Sequence, residues 1–547
     1  MKTAVHIIGR TRSGKTRKLM EVCRTIIKRR NPLIVIDGKG ELYDDVLRYA
    51  TYTRVRPERL TLVDPTSNHV PGINPLQPQN GEHPSALADH VVNFFLKFFG
   101  EEEEAKIWVR EYGPSVLTPL AASGLTLLET FYFIIDPAFR NSILSRLEDY
   151  PYIAEKWEFF RTNYKLFEQA RILQPIQSRM DIFYRFPYLT AMFGQHTTIN
   201  FKHIMAQDGV LLANLAPRTS VPPSMLSFIG ASFLSAITLT ARGRPYGSRP
   251  VYVVLDEFQR FLTSDIAETL DELAAHGLRF LLSHQRLSQL YSHDPDLLSA
   301  VMANARTKLV FNVYDEDAQL LYREIFAGMI YPKLQQPKDE IYRTLFKPVF
   351  TLFPITSHHK SEGQSDQYGE SVGADDTQGE QESSAQCINP EDGTIINQTT
   401  GQNVSYAHKE AWASSWSTTK VKTEGSSTSL VPLYLLNEAK ELSSRQYPTV
   451  EEIKEEYIGI LNTLRQRHYI LKRPDEPPQP MMTNEVKDIK VRPKDVDAFS
   501  NMSYAIHARP IKEVIREIQQ RPNQFLLTHN NGDYNHDPDI PQPKRKR

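Results

Sequence analysis

Cysteine is nearly absent. The chain has two in 547 residues, Cys23 and Cys387, far apart in sequence. Neither a disulfide framework nor a zinc-ligand spacing can be built from them, which excludes the small secreted and zinc-ribbon classes and suits a reducing compartment. Net charge is equally scarce, −1 at neutral pH, so no global basicity advertises a nucleic-acid partner. Long apolar runs are missing as well. The most membrane-like stretch, Met225 to Ala241, is short for a span and holds five Ser and Thr hydroxyls, so it is expected to be a buried core helix. No signal peptide precedes the first apolar segment, which predicts a cytoplasmic chain with no intrinsic membrane anchor. No internal repeat is present.

Charge is uneven where it occurs. Residues 1–60 carry fifteen Lys and Arg against six Asp and Glu, whereas Glu362 to Asp392 holds nine acids and no Lys or Arg. Local patches must therefore carry any argument for nucleic acid. With 40% apolar residues over this length, two or three domains and a sizeable core are expected.

The stretch from His6 to Thr16 carries the strongest motif. Gly9, Arg10, Thr11, Arg12, Ser13, Gly14, Lys15 and Thr16 satisfy G-x-x-x-x-G-K-[ST], a phosphate-binding loop. Glycines let successive backbone N–H groups curl around phosphate oxygens, and the helix that follows adds its positive end. These eight residues are the candidate nucleotide contacts, with Lys15 reaching the β- and γ-phosphates and Thr16 ligating Mg2+. The context fits: the apolar run Val5 to Ile8 precedes the loop. After it, Leu19, Val22, Cys23, Ile26 and Ile27 fall on one helical face.

Apolar strand signals recur at Leu33–Ile36, Leu60–Asp64, Gly209–Leu215, Val251–Glu257, Leu278–Gln285 and Lys308–Val313, separated by helical patterns. This alternation predicts an α/β fold with a mainly parallel sheet and right-handed crossovers. Residues 1–79 are read as the first part of an ATPase core, 80–205 as an all-helical insertion and 206–345 as the second part of the core. The insertion is rich in aromatics, which either form its core or offer a base-stacking surface. Residues 346–430 are read as a largely disordered linker, because 357–429 is too polar to offset its ordering entropy; within it Trp412 and Trp416 suggest one docked patch. Residues 431–475 return to the core, ending in a strand at Arg467 to Lys472. Residues 476–547 are read as a polar, Pro-rich tail, with one short amphipathic helix around Ile511, Val514, Ile515 and Ile518 and a basic end at 543–547.

In a parallel sheet the C-terminal strand ends share one edge, where ligands bind. That edge would gather the phosphate loop, the charged turn Asp37-Gly38-Lys39-Gly40-Glu41, the carboxylates Asp256 and Glu257, and Gln285. Nucleotide hydrolysis needs such a set: Asp256 to hold Mg2+, Glu257 as general base toward water, and Gln285 to contact the γ-phosphate or that water. Each piece also has a plain alternative. The 37–41 segment could be a solvated turn, Asp256-Glu257 an acid pair at a helix N-terminus, and Gln285 a surface turn residue.

At these residues the chain resembles the TraG/TraD-type coupling ATPases of conjugative type IV secretion, within the HerA/FtsK superfamily of P-loop (RecA-like) ring motors. The matching pieces run in order: Gly9 to Thr16; Asp37 to Glu41, where that family has D-P-K-G-E; Asn74-Pro75-Leu76; Met192-Phe193-Gly194-Gln195; Leu211 to Leu215; Leu255-Asp256-Glu257-Phe258; Ser283 to Leu290; Asn304; and Phe311 through Asp317-Ala318. The resemblance covers roughly residues 1–330, with a weaker echo at 431–475. It implies a homo-hexameric ring, ATP with Mg2+ at subunit interfaces, DNA in a central channel, and a relaxase and membrane secretion-channel components as partners at the inner face of the membrane. Gly38 stands where the family has Pro. Where many relatives carry an Arg-Lys pair, this chain has Leu273-Ala274-Ala275-His276-Gly277, so a trans-acting arginine would have to be Arg279 or Arg306. Two other functions suit the same residues: a HerA-like cytosolic DNA helicase or translocase in DNA processing, and a non-motor ATPase that switches protein binding.

Overall fold

The computed structural model describes residues 4–99, 103–219, 221–293, 295–357, 384–388, 395–400 and 427–527. Those within 1–329 and 454–547 form one compact unit and those within 330–453 a second.

The first unit is built on a nine-stranded sheet. From one edge its strands are Leu60–Val63, Val210–Asn214, Leu33–Asp37, Val251–Asp256, Leu278–His284, Val5–Ile8 and Thr307–Val310, all parallel. His468–Lys472 then pairs antiparallel with Thr307–Val310, and Gln479–Met482 antiparallel with His468–Lys472. The seven parallel strands are short runs rich in Val, Ile and Leu and almost wholly buried, as a sheet covered on both faces requires. Alternate residues feed two cores. Val5, Ile7, Leu33, Val35 and Leu281 face the helices Lys15–Lys28 and Glu41–Tyr52, whose Leu19, Cys23, Ile26, Val46 and Leu47 close that side. Ile34, Ile36, Val253, Leu255 and Leu282 face the helix Pro223–Arg242 and the helical insertion. Each such buried side chain contributes about 1.5–3 kcal/mol.

Register decides where the site lies. Ile8 pairs with His284 and Val310, Asp37 with Asp256, and Asp256 with Ser283. The C-terminal ends are therefore level, and the four segments after Ile8, Asp37, Asp256 and His284 emerge together.

Among the described residues eight helices run from Pro84 to Ala206. Their aromatics are mainly core. Phe133, Phe139, Phe160 and Phe183 are buried, and the Trp157 indole donates to Ser115 O at 2.9 Å. Phe228 of the Pro223–Arg242 helix inserts among Phe94, Phe98, Phe183 and Phe193 with ring centroids 5.1–5.6 Å apart, locking the insertion onto the sheet layer. Phe131 and Phe159 remain exposed. Pro223–Arg242 is the one described helix long and apolar enough to cross a membrane, and 72% of its apolar window is buried inside the protein.

Two sequence expectations need correction. The polar tail after 476 is folded as far as Leu527. Gln479–Met482 joins the sheet, and Pro493–His507 covers its Leu60 edge, where Ser503 Oγ donates to Leu60 O at 2.5 Å. Ile511–Leu527 buries Val514 and Ile518 against the insertion. Its anchors are sparse, so composition alone read as a tail. The second concerns only the bounds given to the 346–430 segment. In the second unit Asp339–Ser357 pairs antiparallel with Ser427–Gln446, and Ser384–Ile388 with Ile395–Thr400. The boundaries at 346 and 430 thus fall inside a strand pair, where the apolar runs Leu345–Ile355 and Leu430–Leu436 favour pairing. Trp412, Trp416 and the basic end at 543–547 lie outside the described residues.

Candidate functional site

The phosphate loop passes between the strand Val5–Ile8 and the helix Lys15–Lys28. Two glycines are obligatory here. A Cβ on Gly9 would lie 2.6 Å from Phe311 Cβ, and Gly14 adopts φ 114° against the Arg467 backbone. The loop is held from both sides, since Arg10 N donates to Asn312 O at 2.7 Å and Arg467 N donates to Ser13 O at 2.8 Å. Lys15 is 4% exposed and its ammonium bonds to the loop carbonyls of Gly9 and, at 3.0 Å, Arg10. Burial lowers its pKa to about 8, helped by the nearby Lys39 cation and opposed by Asp256 and Glu257.

Glu257 follows its strand in the left-handed region, φ 56°, a strained conformation for a residue with a side chain. The turn directs its carboxylate at three partners. Oε1 pairs with the Lys39 ammonium and accepts from Gln285 Nε2 at 2.7 Å, and Oε2 accepts from Gln259 Nε2 at 2.8 Å. Burial pushes the Glu257 pKa up, but Lys39 and the two amide donors outweigh it and hold the carboxyl below its ordinary value. Gln285 is fixed at its other end, where its Oε1 accepts from Thr11 Oγ1 at 2.7 Å.

Asp256 is the opposite case. It is 1% exposed, and neither carboxylate oxygen has a well-formed hydrogen bond. The Ser283 hydroxyl lies near enough to favour the charge without bonding to it in proper geometry. Burial raises its pKa to about 6; the neighbouring acids Asp37 and Glu257 add to this and Lys39 opposes it. Two buried, unpartnered oxygens beside a phosphate loop fit a divalent cation, whose charge would supply what the protein withholds. Thr16, half-buried in the first turn of its helix, is the second oxygen donor expected there.

Of the 37–41 candidates only Lys39 reaches one of the two carboxylates, that of Glu257. Asp37 is buried and spends its oxygens on Lys39 N and Tyr43 N, both at 2.8 Å. Glu41 is exposed at the start of the next helix. Arg279 is folded onto the carbonyls of Ala274 and Leu278, and Arg306 pairs with Asp271 at 3.0 Å. Sequence reasoning included Asn312 and Tyr314 in the matching stretch 311–318 without giving them a role, and it missed Arg467 at this site. Tyr314 lies under both Arg10, at 4.4 Å, and Arg286, at 3.8 Å, and nothing in local composition marks these loop-backing positions.

Strand order, phosphate loop and the level carboxylates together define a P-loop NTPase fold carrying an all-helical insertion. Within it, residues 250–321 match the family model described as the TraM recognition site of TraD and TraG, a segment that contains Asp256, Glu257 and Gln285. The chain is thus similar to the TraG/TraD-type coupling ATPases, as its ordered motifs imply. Solved structures with remote likeness include the bacterial conjugative coupling protein TrwBdeltaN70, at 12% identity over 90% of this chain and 87% of that one, TM-score 0.48. The plasmid coupling protein TrwB in complex with ADP and Mg2+ follows at 11% identity, 89% and 87% coverage, TM-score 0.48. VirB4 of Thermoanaerobacter pseudethanolicus is at 11% identity, 62% and 85% coverage, TM-score 0.38. No curated protein matches the sequence.

Proposed function

We propose that this protein is an ATP-hydrolysing ring motor that binds and translocates DNA, serving as a coupling protein in conjugative, type IV secretion DNA transfer. The observation that carries the reading is the linkage Thr11–Gln285–Glu257–Lys39, which ties the phosphate loop to a buried carboxylate beside the unpartnered Asp256.

In this reading the loop amides and Lys15 bind the triphosphate. Thr16 and Asp256 hold Mg2+, which supplies charge neutralisation at the phosphates when bound. Glu257 orients and deprotonates the attacking water once Lys39 yields its ion pair to the phosphates. Gln285 exchanges its Thr11 and Glu257 bonds for the water or γ-phosphate, so that nucleotide state is felt along the Leu278–His284 strand. The working assembly is a homo-hexamer with DNA in its channel, cytoplasmic and recruited to the inner face of the membrane by secretion-channel components. A relaxase and a TraM-type protein are the expected partners. The family match at 250–321 supports the conjugative assignment.

The test is the ATPase rate with and without single- and double-stranded DNA, alongside the mass of the assembly. DNA-stimulated, salt-sensitive turnover by a hexamer is expected; hydrolysis indifferent to DNA would remove the motor reading.

A further inference from the structure

Directly beneath the site two histidines face one another. His6, in the strand that feeds the phosphate loop, and His284, the residue before Gln285, are both fully buried. Their Nε2 atoms are 2.6 Å apart and their rings stack at 4.9 Å. The His284 Nδ1 lies 2.9 Å from the carbonyl of Arg286. A carbonyl can only accept, so Nδ1 carries the proton and the neutral ring's Nε2 must accept from His6 Nε2–H. Neutrality follows from the surroundings. Both rings are buried, and on the other side of His6 lies the buried Lys308, its partner in sheet register. Burial, the neighbouring His284 and Lys308 keep the His6 pKa well below the ordinary value, and burial brings that of His284 down to about 4.

The bond to Arg286 O spans Gln285. Gln285 follows the last residue of the Leu278–His284 strand, so no helix or sheet ladder holds its backbone on the far side. The turn is pinned instead at Arg286 O by His284, at Leu287 N by Asp317 Oδ1 at 3.0 Å, and at the Arg286 guanidinium by Tyr314. His284 is the pin that also connects to the phosphate-loop strand.

We propose that His284, oriented by His6, is a positioning residue that sets the backbone of Gln285 so that its amide bridges Thr11 and Glu257. It acts through Gln285 and not on the nucleotide. The inference rests on the hydrolase reading above.

The test uses the full chain and steady-state ATP turnover. His284→Leu removes both ring bonds and is expected to lower kcat about 10- to 100-fold, with KM and the affinity for a fluorescent ATP analogue changed less than about 2-fold. His284→Asn offers an amide where Nδ1 stood and is expected to recover most of the loss; His284→Gln, whose amide reaches the Nε2 position, is not. On a Gln285→Ala background, His284→Leu should change kcat less than about 2-fold, because the group it positions is gone. A folded His284→Leu with wild-type kcat overturns the inference, as does an undiminished loss on the Gln285→Ala background. Should the leucine variant fail to fold, the order Asn above Gln still decides, and equal rates for the two overturn it. A wild type that binds ATP without turning it over overturns this inference together with the hydrolase reading. An active wild type with unaffected His284 variants overturns this inference alone.

Discussion

Gln285 donates its side-chain amide to Glu257 at 2.7 Å while accepting Thr11 Oγ1 at 2.7 Å. One side chain thus joins the proposed general base to the phosphate loop. Lys39 and Gln259 also engage that carboxylate, and its pKa is held low; in the proposed mechanism it becomes an effective base only when Lys39 leaves it. Glu257→Gln keeps an acceptor for only one of the two amide donors, because its NH2 cannot accept, and it cannot take a proton. ATP binding within a few-fold of wild type and turnover down by about 10²–10⁴ are expected. Near-normal phosphate release by the variant would remove Glu257 as the base.

Lys15 makes the same site pH-sensitive from the other side. Its pKa in the folded chain is about 8 against an ordinary 10.5. Between those values the unfolded chain holds the extra proton, so stability rises with pH across the window and the full cost of the buried ammonium is present below it. Lys15→Met should therefore be more stable than wild type at pH 7, by about 3 kcal/mol, with the gain fading toward pH 10.5. Lys15→Ala and Lys15→Met should both abolish hydrolysis while remaining folded. Above pH 8, ATP binding to the wild type should take up a proton, visible as a buffer-dependent heat in titration calorimetry. Uptake independent of pH would place the ammonium outside the phosphate site.

Asp256 carries the opposite sign. Its folded pKa is about 6 against an ordinary 3.8, so the folded chain binds the proton more readily between those values. Stability falls as pH rises through that window, and the cost is complete above it. Asp256→Asn removes the charge. Without Mg2+ at pH 7.5 the variant should exceed wild type by about 2–3 kcal/mol in chemical denaturation, and match it near pH 3.5. With Mg2+ the order reverses in function: nucleotide affinity in the variant should lose its Mg2+ dependence. A variant less stable than wild type at pH 7.5 would show that the carboxylate has a partner in solution.

Much of this site was legible because a parallel sheet converts sequence order into position. Short runs such as Leu33–Ile36 and Val251–Leu255 announce buried strands, and whatever follows them must share an edge. That logic brought Lys15, Asp256, Glu257 and Gln285 together without any knowledge of contacts. It could not tell that Asp37 would be consumed by its own turn while Lys39 crossed to Glu257, because both choices suit a polar loop. It also could not find His6 and His284, whose pairing depends on a diagonal between neighbouring strands, or the backing of the loop by Arg467, which arrives from more than four hundred residues away. The C-terminal helices were missed for another reason: composition weighs apolar content, and these helices are anchored as much by single polar groups as by apolar area.

Arg521 is the clearest such anchor. Its guanidinium bonds Glu129 at 2.9 Å and Gly194 O at 2.8 Å, with the Glu129 side chain 3% exposed. Glu129 in turn accepts from Thr126 N at 2.7 Å and Thr126 Oγ1 at 2.6 Å, so the pair closes a network between the helical insertion and the helix Ile511–Leu527. Removing one member of a buried pair leaves the other charged and dry, which costs about 3–5 kcal/mol. Arg521→Ala should lower the urea midpoint accordingly, and Glu129→Gln combined with it should recover part of the loss, since the stranded carboxylate is then gone. If the single variant unfolds at the wild-type midpoint, the helix is not docked through this pair, and the segment after Pro510 behaves as the tail its composition suggested.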